Sequence, residues 1–408
     1  MVTIRRKTTD PAAVAFLKYA REQGIDLSWS NYERSLPLDG FARLGLSAYD
    51  LICGPSRLSP FDRERQKTPL GEDRDDLVYR TVMGILGEDA YYTDDKVGAI
   101  LSAAAARAEQ TPCGCDCGGE AEIGPGVLDA DQVNILTEDV SCERLDALES
   151  AARKSAAVAK AAGAGGFKIV TVGALCPGRA AAGSYTDAEF AVLTGLADAY
   201  ILGSKAPGLG RNAAPHYATA VMSDRVPDEE ILKRAAEAFG KRVNVRPCES
   251  RSVLKLYGKD SLKEIAAQYE KIVIVAGGAS LRLTSGETAV SLIRALTAKG
   301  VACFTFGCAA IAAAKAGLTE HVYASGSLFS EAAGCAGIAE KVRAVCVPEI
   351  SSGGDVARAI CLGEKGFPVL TACELPIEGS IALSEALHRR LSYCKSADFT
   401  SRVLELVK

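Results

Sequence analysis

Histidine, tryptophan and methionine are scarce in this 408-residue chain, at three, one and three copies, and aromatic residues make up 6% of it. With only His216, His321 and His388 to draw on, a metal site would have to be built mainly from thiolate and carboxylate. No apolar run reaches the roughly 18 residues that a membrane-spanning helix needs, so no membrane span is expected. Neither sign of charge dominates: 47 Lys and Arg stand against 51 Asp and Glu, for a net charge of −4. That balance excludes the broad basic field that draws proteins to nucleic acid or to an anionic membrane. The opening Met1-Val2-Thr3-Ile4-Arg5-Arg6-Lys7 is basic but is not followed by the apolar core and cleavage site of a secretion signal, which points to the cytoplasm.

Cysteine, by contrast, is abundant. Fourteen cysteines in a chain without a secretion signal are expected as thiols, metal ligands or redox groups rather than structural disulfides. Cys303, Cys335, Cys346 and Cys361 lie inside apolar runs and are expected to behave as small buried hydrophobes. Cys113, Cys115 and Cys117 are different. They crowd a Gly-rich loop and can close around a soft metal, although zinc and iron–sulfur sites more often place two residues between paired cysteines.

The periodicity predicts an α/β protein, with a helical N-terminal region (1–125) followed by two Rossmann-like domains (126–248 and 249–408). Helical spacing runs through Pro11–Gln23, Asp75–Leu86 and Asp95–Glu109. A Gly- and Cys-rich break over Thr111–Gly126 ends that region. Strands are then predicted at Val133–Leu136, Phe167–Val172, Ala199–Leu202, Lys271–Val275, Val301–Phe306, Ala344–Pro348 and Pro368–Ala372. Helices are predicted between them at Cys142–Ala162, Asp187–Leu196, Glu229–Phe239, Thr288–Lys299, Ala309–Ala316 and Val356–Glu364, with a last one at Ile381–Leu391. Apolar strands separated by helices of this length make parallel sheets with right-handed crossovers.

Ligands in such sheets gather outside the carboxyl ends of the strands. Glu138, Cys176, Cys308 and Glu349 all follow predicted strands, so thiols and carboxylates are expected to converge on one crevice. Gly277-Gly278 also follows a strand, but it lacks the further glycine and the lysine of a phosphate loop.

Several stretches resemble the nickel carbon monoxide dehydrogenases and the related hybrid-cluster proteins. Gly307-Cys308-Ala309-Ala310 through Ala314-Lys315-Ala316-Gly317-Leu318 resembles the helix that carries a cluster-ligating cysteine in that superfamily. Val347-Pro348-Glu349, Pro376-Ile377-Glu378-Gly379-Ser380, the run from Glu189 to Ala199, and Gly54-Pro55-Ser56-Arg57 with Asp73-Arg74-Asp75 resemble further segments in the same order. The chain is shorter than a full member of the superfamily.

The resemblance implies an oxidoreductase of carbon monoxide dehydrogenase or hydroxylamine reductase type, from an anaerobe, working as a homodimer with an iron–sulfur redox partner. It also implies departures. By position, the family's histidine ligand falls at Glu138, its cysteine ligands at Cys176, Ala206, Cys308, Leu328 and Ile350, and its persulfide-type cysteine at Ala279. Ser56 and Leu70 stand where the N-terminal electron-transfer cluster needs cysteines, and Cys53 is out of phase.

Nickel is therefore not expected. A smaller iron–sulfur or other metal centre is expected on Cys113, Cys115 and Cys117, or on Cys176 and Cys308 with Glu138 and Glu349. Two alternatives stand beside this one: a non-catalytic partner subunit or assembly factor of an iron–sulfur enzyme, and a redox enzyme acting on a small carbon or nitrogen substrate.

Overall fold

The apolar runs of the sequence become the inner strands of one sheet, because strands buried on both faces need side chains that give up no hydration. The structure is a computed structural model that describes residues 11–28, 30, 118–203, 206, 208–276, 285–326, 338–348, 362–363, 366–372, 391–394 and 396–408. Helix α1 (Pro11–Glu22) precedes β1 (Gly119–Ile123), β2 (Val133–Glu138), α2 (Cys142–Lys154), α3 (Ala156–Ala161), β3 (Phe167–Val172) and β4 (Ala180–Gly183). Next come α4 (Asp187–Leu193), β5 (Ala197–Leu202), β6 (Ala220–Ser223), α5 (Asp228–Phe239), β7 (Ser252–Leu256), α6 (Lys259–Ala267) and β8 (Ile272–Val275). The rest are α7 (Ser285–Thr297), β9 (Ala302–Phe306), α8 (Gly307–Lys315), β10 (Val322–Ser325), β11 (Val342–Val347), β12 (Val369–Thr371), β13 (Leu391–Tyr393) and α9 (Ser396–Leu406).

The mixed α/β architecture is as the periodicity predicts, but the strands form a single 13-stranded sheet, ordered β13-β12-β11-β8-β9-β10-β7-β1-β4-β3-β2-β5-β6. Two parallel half-sheets meet at β1 and β7, which pair antiparallel from Gly119↔Leu256 to Ile123↔Ser252. β1 in turn runs parallel to β4, and β7 parallel to β10. The joint is very close. A β-carbon on Gly126 would lie 2.6 Å from the Cys248 carbonyl oxygen, and one on Gly124 would lie 2.3 Å from that of Ser250. The glycines that mark a break in the sequence are thus where two backbones cross without room for a side chain.

Each half-sheet is roofed by helices. Leu292, Ile293 and Leu296 of α7 are fully buried with Val273, Val275 and Cys303 beneath them, and each such aliphatic chain contributes about 1.5–3 kcal/mol by leaving water. On the other half, Leu148 of α2 and Ile231, Leu232 and Ala235 of α5 cover Val133, Ile135 and Ile201.

Helix α1 docks there too. Phe16 stacks on Phe190 at 5.7 Å, and the Arg246 guanidinium lies 4.0 Å above the Tyr19 ring. Beyond α1, Ser28 donates to Glu189 from its backbone N–H (2.8 Å) and its hydroxyl (2.6 Å).

Four expectations need correction. The predicted helix Cys142–Ala162 is two helices, because Ser155 closes α2 with its N–H on the Ala151 carbonyl and α3 starts afresh. Glu138 does not follow a strand but ends β2, its residue paired in register with Val172 and Leu202. Leu391 opens β13, pairing with Val369, rather than closing a helix; residues 381–390 lie outside the described residues. The cysteines are not all thiols, since Cys142 is disulfide-bonded. Among the other described cysteines, Cys176, Cys248, Cys303, Cys308, Cys346 and Cys394 are not disulfide-bonded. Cys142 is half-buried at a helix start and can be reached by a second sulfur, whereas Cys303 and Cys346 are sealed in the core as expected. Cys335, Cys361 and the helices predicted over 75–86 and 95–109 lie outside the described residues. Among those described, no helix is long and apolar enough to cross a membrane.

Replacing Gly126 by alanine should push the Cys248–Ser250 backbone off β1. Overpacking of this kind costs about 1–3 kcal/mol. Urea denaturation should show the loss, and limited proteolysis should show faster cutting between β6 and β7; an unchanged midpoint would mean that the joint has slack.

Candidate functional site

The loop after β3 packs against the carboxyl ends of β9 and β10 in the other half-sheet. A β-carbon on Gly326, just past β10, would lie 2.5 Å from the Leu175 carbonyl oxygen, and one on Gly307 would lie 3.6 Å from that of Gly173. Leu175 packs in one apolar cluster with Ala310 and Ile311 of α8 and Ala324 of β10. Cys176 and Cys308 are therefore carried by segments that pack against each other, and both are buried. Lys315 at the end of α8 adds an ion pair across the same junction, 2.9 Å from Asp187 at the start of α4.

Burial pushes the Cys176 thiol up from its ordinary value, opposed by Arg179, whose guanidinium is itself held by Glu149 and Asp146 of α2. Cys308 sits in the first turn of α8.

Glu138 is fully buried and already engaged. Its Oε2 accepts from the Tyr200 hydroxyl, and its Oε1 accepts from the Gly208 N–H at 2.6 Å. Burial pushes the carboxyl up to about 7; the hydrogen bonds from Tyr200 and Gly208 pull it down without matching the loss of water. Glu189 behaves alike. It is fully buried, accepts from Ser28 and from Asn212 Nδ2 (2.7 Å), and is pushed up to about 7 by burial.

Sequence reasoning singled out Glu138, Cys176 and Cys308 from their places near strand ends, but missed Tyr200, Gly208, Glu189 and the Asp187–Lys315 pair. Tyr200 sits within an apolar run and reads as core, and only the tertiary fold brings Gly208 to Glu138. Cys113, Cys115, Cys117 and Glu349 lie outside the described residues. Among the described residues no three His, Cys, Asp or Glu side chains gather closely enough to hold a metal ion, so Glu138, Cys176 and Cys308 do not form a three-ligand centre by themselves.

No protein-family model matches the chain. A 101-residue stretch is 31% identical to carbon monoxide dehydrogenase 1 of Methanosarcina mazei, and covers 24% of this chain and 16% of that protein. The same enzyme of Methanosarcina acetivorans matches at 30% identity over 101 residues, with the same coverage. The matched stretches thus take in about a sixth of these relatives' length. Over almost the whole chain the backbone superposes on carbon monoxide dehydrogenase IV of Carboxydothermus hydrogenoformans, with a TM-score of 0.71 at 16% identity and 98% of each chain covered.

The chain has the carbon monoxide dehydrogenase fold.

A nickel-free carbon monoxide dehydrogenase from Thermococcus sp. AM4 superposes almost as well, with a TM-score of 0.68 at 15% identity, covering 99% of this chain and 98% of that one.

The fold family implies a nickel–iron–sulfur cluster in the crevice, and the described donors do not fit one. Two buried thiols remain, both oxygens of Glu138 already accept hydrogen bonds, and Ala206 is a buried methyl group. Clusters of this kind take about four ligands, mostly thiolates.

Two outcomes follow from the buried carboxyls. Glu138→Ala should cost about 1–3 kcal/mol for each group it strands, the Tyr200 hydroxyl and the Gly208 N–H, whereas Glu138→Gln should stay near wild type at pH 7. Chemical denaturation measures both. The pH dependence has a definite sign. Unfolded, Glu138 and Glu189 lose their protons near 4.5; folded, near 7. Across that window the folded chain binds more protons, so stability falls as pH rises and levels off above 7. Glu189→Gln should remove part of the slope, on the order of a few kcal/mol. A variant with the full wild-type slope would show that Glu189 is ionised throughout.

Proposed function

We propose that this chain keeps the carbon monoxide dehydrogenase scaffold but has given up the nickel–iron–sulfur cluster, and with it carbon monoxide oxidation. Glu138 carries this reading. At the place that the resemblance gives to the histidine ligand stands a buried carboxyl, raised to about 7, whose oxygens are taken by Tyr200 and Gly208. A carboxyl in that state is only partly charged near neutrality and already has an accepted hydrogen bond on each oxygen, unlike the neutral imidazole whose place it takes. Ala206, Leu328 and Ile350, at the places of three further cysteines, supply no electron pairs.

The metal chemistry that remains is thiolate-based. We assign it to a smaller iron–sulfur or zinc centre on Cys113, Cys115 and Cys117, whose closeness in sequence keeps the entropy of closing the site low. Cys176, Cys308 and Glu349 rank second. A homodimer could complete the coordination by bringing two such loops together, and an iron–sulfur redox partner would serve the same centre. The closed state of Glu138 also favours a second reading, a non-catalytic partner subunit or assembly factor.

Metal analysis and the visible spectrum of protein prepared without oxygen separate the two. Thiolate-to-iron absorption supports the metal-centre reading; a colourless, metal-free protein supports the partner reading. Supplied with nickel and a viologen acceptor, the protein is expected not to turn over carbon monoxide, and robust nickel-dependent turnover would sink the proposal. Cys115→Ser should lower bound iron or zinc more than Cys308→Ser does; the reverse order would return the centre to the crevice.

A further inference from the structure

At the amino ends of β8, β9 and β10, the end of the sheet opposite Cys308, one tyrosine sits between an imidazole and a second tyrosine. The Tyr269 hydroxyl lies 2.7 Å from His321 Nδ1 and 2.7 Å from the Tyr323 hydroxyl. Tyr269 follows α6 and leads into β8, while His321 immediately precedes β10, of which Tyr323 is the second residue. The backbone fixes the imidazole. His321 has a φ of 57°, a left-handed conformation that residues with a β-carbon seldom take, and its carbonyl accepts from the Cys303 N–H at 2.8 Å. All three side chains are only partly shielded from solvent.

The hydrogen bonds of this group run in one direction. The Glu320 carboxylate lies 3.8 Å from His321 Nε2 and favours the tautomer with its proton there, which leaves Nδ1 as the acceptor. Tyr269 directs its single proton at Nδ1, so its oxygen accepts from Tyr323. Burial, and then the hydrogen bond with Tyr269, pushes the Tyr323 phenol up from its ordinary value, so Tyr323 keeps its proton and acts as the donor. The rings touch as well. Tyr323 packs edge-on against Tyr269, Tyr257 and Phe304, with centroids 6.0, 5.5 and 5.9 Å apart. Phe304 is fully buried, so rings in contact lead from the surface into the core.

A phenol gives up an electron readily only if its proton leaves with it, because the oxidised phenol is a very strong acid. A base already in hydrogen-bond contact with that proton meets this need without movement. We propose that Tyr269 is a redox-active residue, a one-electron donor whose phenolic proton passes to His321 Nδ1 as the electron leaves. The step balances. An outer-sphere one-electron oxidant takes the electron, the O–H bond breaks, and the new N–H bond makes His321 an imidazolium beside Glu320. Tyr323 then donates to the phenoxyl oxygen. An outer-sphere electron transfer requires no pocket for the oxidant, and the step does not depend on whether the cysteines hold metal.

Freeze-quench electron paramagnetic resonance tests it on the full chain, with accessible thiols alkylated beforehand so that they do not compete. The oxidant is hexachloroiridate(IV), and a parallel sample carries a nitroso spin trap whose adducts are located by mass spectrometry. A phenoxyl signal is expected, with the adduct concentrated on Tyr269 and lost in Tyr269→Phe. His321→Leu, which keeps the phenol and removes the base, should slow formation of the Tyr269 radical about tenfold or more. Wild type should also form it more slowly in deuterated water, and that isotope effect should change in the leucine variant. His321→Gln, which keeps an acceptor but is not a base, serves if the leucine variant does not fold, with the same slowing expected. The absence of a phenoxyl signal would overturn the proposal, as would adducts on other tyrosines, Tyr323 included, with Tyr269 unlabelled. A Tyr269 radical formed at the wild-type rate in the His321 variants would overturn it too.

Discussion

The antiparallel ladder between β1 and β7 is the interaction on which the rest of this molecule depends. On either side of it every strand runs parallel to its neighbours among the described residues, and a parallel half-sheet has no reason of its own to join another. Once the ladder forms, Ala121 and Ile123 of β1, Leu256 of β7 and Ala181 of β4 share one core with Leu175, Ala310 and Ile311. That core presses the loop bearing Cys176 against the helix bearing Cys308. The candidate site is thus a product of the joint, and neither half-sheet could make it alone.

Within the crevice, desolvation decides the chemistry. Glu138 receives two good donors and still behaves as a carboxylic acid titrating near neutrality, because the water it has lost outweighs them. Glu189 repeats the pattern beneath the docked N-terminal segment, with donors from Ser28 and Asn212. Asp187 has the cationic Lys315 beside it as well as the Ser184 N–H at 2.6 Å. The Lys315 ammonium links α8 to α4, whereas the hydrogen-bond donors on Glu138 are neutral.

The sequence was informative where burial is complete on both faces. β8 and β9 are buried throughout, in runs such as Ile272-Val273-Ile274-Val275, and their apolar character survives any register. The joint was illegible for the opposite reason. β1 is Gly-Glu-Ala-Glu-Ile with an exposed end, and β4 is three alanines and a glycine, so neither carries the side-chain signal of a strand. The glycines near β1 read as flexibility when they serve close backbone crossing. At the site, strand-end position was enough to pick out Cys176 and Cys308. What Glu138 touches was not legible, because Tyr200 and Gly208 reach it only through the pairing of β5 with β2 and the turn that follows.

The joint also orders events in time. β1 leaves the ribosome before either of its partners, and the partner that closes the sheet, β7, follows more than a hundred residues later. Loops of that length close slowly relative to local helix and hairpin formation. Until β7 emerges, β1 is an edge strand whose second side is unpaired, in a nascent chain whose β2–β6 half can already assemble against its first side. Its two charged side chains, Glu120 and Glu122, suit that waiting period, since charge on an exposed strand edge discourages pairing with the wrong neighbour.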